Sequence, residues 1–168
     1  MQSLNRPKIS IKRDPSDWII EIAGALFMLL MIGLPIYYYN QLPDTIPSHF
    51  NALGEPDAYS KKTSIWTLPI VGLFTYISLF VLNGYPHIFN YPTEITEDNA
   101  ERQYRIATKL LRTMNLVIAA GFAYITYSTI QAAFGNQMGL GTWFLPLFLL
   151  SIFGTTGIYL YSAFRKKS

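Results

Sequence analysis

The residues best suited to chemistry gather in one stretch of about twenty, Leu42 to Lys62, which carries His49, Asn51, Asp57 and Lys61 among prolines and a glycine. A histidine beside carboxylates suggests a metal site, but one histidine and scattered acids do not make a ligand set. Metal ions need several donors at matched distances. The alternative is that His49 and Asp57 hydrogen-bond the loop's own backbone while Lys61 neutralises them. Pro43 and Pro47 keep the chain extended. Gly54 with Glu55, Pro56 and Asp57 is turn chemistry, so a small hairpin lying on the rest of the protein is a natural shape for this loop. Two further features compete with it. Glu21 is an acid inside an apolar run, where a carboxylate suggests proton-coupled transport by default, although its place three residues after Trp18 favours a structural pair with a base such as Arg112. His87, Phe89 and Tyr91, flanked by Pro86 and Pro92, form either a rigid cap over helix ends or a docking surface for a partner. With no cysteine, thiolate metal sites, disulfides and cysteine nucleophiles are excluded. No nucleophile–base pair stands at a recognisable spacing, so the chain reads as non-enzymatic, with no cofactor and no metal.

The elements that must position these residues are membrane helices. From Thr113 to Phe164 the chain runs 52 residues without Asp, Glu, Lys or Arg, and two shorter apolar runs precede it. A hydrocarbon core of about 30 Å takes roughly 20 helical residues per crossing, so the long run is two crossings joined at the glycine-rich turn 135–141. Backbone polar groups cannot go unpaired in lipid, and isolated strands cannot pair their own. The expected class is therefore an all-α integral membrane protein. It is a four-transmembrane-helix bundle over 18–164, with helices at about 18–39, 64–82, 110–134 and 142–164, an outer loop 40–63 and an inner loop 83–109. The tails are 1–17 and 165–168. The first run lacks a small-residue cleavage pattern at its exit and reads as a retained helix.

Eleven of the thirteen Lys and Arg residues lie on one side of these helices, Lys61 and Lys62 on the other. By the positive-inside rule both termini and the loop 83–109 are cytoplasmic, and the loop 40–63 is extracytoplasmic. The basic residues thus serve topology, and nucleic acid is not expected as a partner despite a net charge of +3. The bilayer is. Aromatic residues fall where interfacial belts should lie: Trp18, Tyr85 and Tyr161 inside, Tyr37, Tyr38, Tyr39, Trp66 and Trp143 outside. Thr96, followed by Glu97 and Asp98, starts a helix expected to run on into the third crossing, with Asp98–Arg102 and Glu101–Arg105 as i,i+4 pairs. Tyr76, Tyr124 and Tyr127 lie deeper and need partners, for which Ser128, Thr155 or another helix would serve. Ala119 with Ala123, and Ser151 with Thr155, are small-residue pairs that let helices approach closely.

The string LPDTIPSHFNALGEPDAYSKK resembles the signature of the bacterial membrane family called domain of unknown function 1648, the N-terminal domain of Sdp-type toxin immunity proteins. Leu42, Pro43, Ile46, Pro47, His49, Phe50, Gly54, Asp57 and Lys61 carry the match. The helix to about Leu82 belongs to the same unit, and residues 86–104 resemble a block seen in small stand-alone members. The Gly-Ile-Arg-Thr-type segment that ends the full immunity protein is not found. The resemblance implies a bacterial cytoplasmic-membrane protein. It also implies an immunity-like or sensing role, in which the outer loop engages a protein, a peptide or an envelope component. An accessory subunit of a larger membrane complex and a small transporter using Glu21 are the alternatives.

Overall fold

A computed structural model describes residues 6–165. Lys166, Lys167 and the end of the tail 165–168 lie outside the described residues. Among the described residues four helices are long and apolar enough to cross a membrane: α1 (Pro15–Tyr38), α2 (Thr67–Leu82, taken together with the 3-10 turn Lys62–Trp66 before it), α3 (Glu97–Ala133) and α4 (Phe144–Phe164). The chain is a multi-pass membrane protein. Between α1 and α2 stands an antiparallel hairpin, β1 (Thr45–Phe50) and β2 (Pro56–Lys61), so the all-α class needs correction. Strands are forbidden only to lipid-exposed backbone. This pair lies beyond the helix ends, where edge groups without a partner strand meet water.

α3 organises the molecule. It packs against α1 above all, and against α2 and α4 on other sides. Small residues make the α1–α3 approach close: Ala119 and Ala123 are buried against Met28 and Met31, with Phe27, Tyr76 and Phe122 packed around them. Gly72 of α2 gives way to the Met31 side chain, where a Cβ would collide. α4, by contrast, lies on α3 with most of its surface open to the surrounding bilayer.

The ends of the helices have identifiable causes. Asp14 caps α1: its carboxylate accepts from the Asp17 N–H (3.0 Å), while Asp17 Oδ2 accepts from the Asp14 N–H (3.0 Å). The Ser16 hydroxyl and the Asp17 N–H hold Asp14 at about 2, down from 3.8. At the start of α3, Asn99 Oδ1 accepts from the Thr96 N–H (3.0 Å). Glu101–Arg105 forms at 3.1 Å, whereas Arg102 reaches across to the carbonyls of Ser162 and Arg165, capping the end of α4. With 37 residues, α3 is about 55 Å long, far more than one crossing requires. Counting about 30 Å back from Ala133 reaches Arg112, so a hydrocarbon core that begins at Ala133 would end near Arg112.

Candidate functional site

The hairpin is held at both ends. At its base Ile46, fully buried, joins Leu42, Ile65 and Ile130 in a cluster closed by Tyr38, Trp66 and Phe134. At its tip the chain docks onto the α3–α4 turn: the Leu140 N–H donates to Gly54 O at 2.7 Å. Gly54 adopts φ +80, and a Cβ there would stand 2.7 Å from Gly141 O. A Cβ on Gly139 would collide with Gly54 O. Only glycine tolerates both the left-handed backbone and this backbone-to-backbone contact.

Between base and tip the strand register slips twice. Thr45 faces Lys61, Ile46 faces Ser60 and Pro47 faces Tyr59, but His49 faces Ala58 and Phe50 faces Pro56, so Ser48 in β1 and Asp57 in β2 are each one residue in excess. Bulges re-aim side chains. Here they leave His49 Nδ1 and Asp57 Oδ1 2.5 Å apart on the open face, with side chains 69% and 42% exposed. Exposure at this level makes the pair a poor source of stability and leaves it available to an incoming group. The other polar residues of the loop serve different ends. Asn51 Oδ1 accepts from the N–H groups of Leu53 (2.9 Å) and Glu55 (3.0 Å), and its amide donates to Glu55 (3.1 Å), so it builds the turn. Lys61 sits at the far end of the hairpin, opposite Thr45. Its neighbour Lys62 is the basic residue tied into the loop, to Leu42 O (3.4 Å) and Asp44 (3.7 Å), with Tyr39 beneath it. Pro43 lies just before β1, and Pro47 within it is buried. Among the described residues no group of three or more His, Asp or Glu could hold a metal ion.

Glu21 is paired as its depth suggests. Arg112, buried on α3, donates to Glu21 Oε1 at 2.8 Å and lies 3.5 Å from Asp17, while Arg13 reaches the same Glu21 oxygen at 3.1 Å. Sequence reasoning missed Asp17, although its spacing of four from Glu21 puts both carboxylates on one face of α1. Two of the deep tyrosines bond to carbonyls rather than to Ser128 or Thr155: Tyr76 donates to Glu21 O on another helix, α1 (3.2 Å), and Tyr124 to Leu140 O (2.9 Å). Thr155 turns back to Ser151 O, and the Ser128 hydroxyl has no partner among the described residues.

His87, Phe89 and Tyr91 lie in a folded segment between α2 and α3. Arg6 donates to the carbonyls of His87 (3.3 Å) and Phe89 (2.6 Å) and lies over the Tyr91 ring. Tyr91 stacks between Phe89 and Tyr104 and donates to Pro86 O (2.8 Å), and burial pushes its phenol upward. The backbone of this segment is thus clasped by the N-terminal tail.

Residues 26–73, from the middle of α1 through the hairpin into α2, match the family described as a domain of unknown function, DUF1648. The match is to this segment alone. Both members of the His49–Asp57 pair, the double bulge and the tip glycine Gly54 fall within it, whereas α3 and α4 lie beyond. An uncharacterized protein of Archaeoglobus fulgidus is 25% identical over 153 residues, covering 79% of this chain and 84% of the relative, so the likeness extends well past the DUF1648 segment. No solved structure matches the chain.

Proposed function

We propose that this protein is a non-enzymatic membrane module whose DUF1648 hairpin, facing away from the cytoplasm, engages a peptide or envelope component. The carrying observation is that the hairpin is fastened at base and tip while His49 and Asp57, brought together by paired bulges, stay exposed between the fastenings. A platform so held loses little entropy when it binds, and an imidazole–carboxylate pair offers both a donor and an acceptor. Exposed Tyr59 on β2 supplies apolar area of the kind contact surfaces favour. The proposal places the protein in a cytoplasmic membrane with both termini inside, on the asymmetry of its basic residues.

A photo-crosslinking residue at Tyr59 tests it in intact cells. A discrete adduct is expected, lost in His49→Ala and Asp57→Ala proteins that insert normally. An adduct pattern unchanged by both substitutions would sink the recognition reading and leave the hairpin as a lid.

The accessory-subunit reading draws on α4, which is barely buried and carries Gly154 and Gly157 with open space where a side chain would be. A crosslinker at exposed Phe153 distinguishes the two, since a stoichiometric membrane partner captured there favours the subunit. The transport reading has less to draw on, because two guanidinium groups hold the Glu21 carboxylate.

A further inference from the structure

α4 packs on α3 without extensive contact with α1, so a groove floored by α3 runs between α1 and α4. Two cavities occupy it. One of about 730 Å³ lies toward the hairpin end, lined by Phe27 of α1, Ala120 and Tyr124 of α3 and Phe148 of α4. The other, about 400 Å³, lies at the basic end, where Asp14, Arg105 and Lys109 form the mouth and Leu110, Thr113 and Ile158 the interior. The α3 positions 109, 113, 117, 120 and 124 and the α4 positions 148, 151, 155, 158 and 162 follow helical spacing, so both cavities lie along the same faces.

Depth decides what fits. Taking Arg112 as the hydrocarbon edge, Lys109 stands about 4.5 Å and Arg105 about 10 Å beyond it, the zone of phosphates and headgroups. From Arg112 to Tyr124 the floor extends about 18 Å, slightly more than the hydrocarbon of one leaflet. Both cations retain exposure, 42% for the Arg105 side chain and 46% for Lys109, although Arg105 also meets Glu101 and Lys109 meets Ser16 and Asp14. Arg105 and Lys109 balance Glu101 and Asp14, and Arg102, bonded to the carbonyls of Ser162 and Arg165, leaves one positive charge beside the mouth.

We infer that this groove is a binding site for an anionic phospholipid, its phosphate held by Arg105 and Lys109 and one acyl chain lying on α3 between α1 and α4. Basic pockets between membrane helices recognise anionic headgroups by this chemistry. A cation at phosphate depth above an apolar channel one leaflet long matches the two parts of such a lipid. A partner helix would match the channel but has no use for the charged mouth.

The test is native mass spectrometry of the full chain in mild detergent with dioleoyl phosphatidylglycerol or dioleoyl phosphatidylcholine added. One phosphatidylglycerol per chain is expected to be retained in preference to phosphatidylcholine. Arg105→Gln and Lys109→Gln should each reduce that preference about fivefold, the factor for about 1 kcal/mol of attraction per basic residue. Lys61→Gln, at the hairpin end, should leave it unchanged. Thr113→Leu with Thr155→Leu narrows the channel while sparing both charges and should lower retention as well. Equal retention of the two lipids by the wild type, a preference that survives Arg105→Gln, or retention indifferent to the filled channel overturns the inference, as does a lipid-free dimer whose interface is the groove.

Discussion

Replacing Arg112 with Met removes the only cation within 4 Å of Asp17 among the described residues, while leaving the packing volume of the site nearly unchanged. The Arg112 side chain is 6% exposed, Asp17 4% and Glu21 13%, so water cannot enter readily to replace the lost partner. Breaking a buried pair by removing one member costs about 3–5 kcal/mol. Most of that falls on Asp17, whose Oδ2 keeps only its bond from the Asp14 N–H. Glu21 retains Arg13 at 3.1 Å, but Arg13 is 37% exposed, and a pair so placed is worth less than about 1 kcal/mol. Arg112→Met should therefore lose about 3–5 kcal/mol, and Asp17→Asn together with Arg112→Met should recover most of the loss by removing the stranded charge. Glu21→Gln should cost only about 1–2 kcal/mol, because Arg112 keeps Asp17 and the amide oxygen still accepts. Reversible unfolding in mixed micelles, followed by helical circular dichroism, measures all four proteins. If Arg112→Met loses less than about 1 kcal/mol, or the double variant is no more stable than the single, the cluster does not fasten α1 to α3 as described.

Gly54→Ala combines a left-handed backbone with a 2.7 Å approach to Gly141 O and should cost about 1–3 kcal/mol, with protease cleavage appearing at the hairpin tip. Gly33→Ala, in an open helical position, should be neutral or slightly stabilising, and the two falling together would remove the argument for a docked tip. For topology, Ser60→Cys should react with an impermeant maleimide in intact spheroplasts and Ser168→Cys only after lysis, which the absence of native cysteine makes clean to read. The reverse pattern would invert the orientation proposed here.

The membrane class, four helices long and apolar enough to cross, and a structured proline-rich loop between the first two were legible in the sequence. The first two depend on apolar length and the placement of charge, properties that are additive along the chain. The string around His49 and Asp57 was enough to point to the DUF1648 family. The shape of that loop was only partly legible. Turn residues pointed to a hairpin, but the opposed bulges at Ser48 and Asp57 depend on how two strands settle against a helical base, and no local pattern encodes that register. Asn51 and Lys61 therefore looked equivalent to His49 and Asp57 in sequence, whereas one builds the turn and the other stands at the hairpin's far end. Glu21 with Arg112 could be anticipated from depth, because an uncompensated intramembrane carboxylate is costly wherever it lies. Asp17 could not be assigned to Arg112, nor Gly54 to Gly139 and Gly141, without the tertiary structure, because those contacts join segments dozens of residues apart. The groove belongs wholly to the tertiary structure. All four apolar stretches look equally fit for burial in sequence, and only the packing of α4 on α3 rather than α1 leaves a channel, with Arg105 and Lys109 at its mouth.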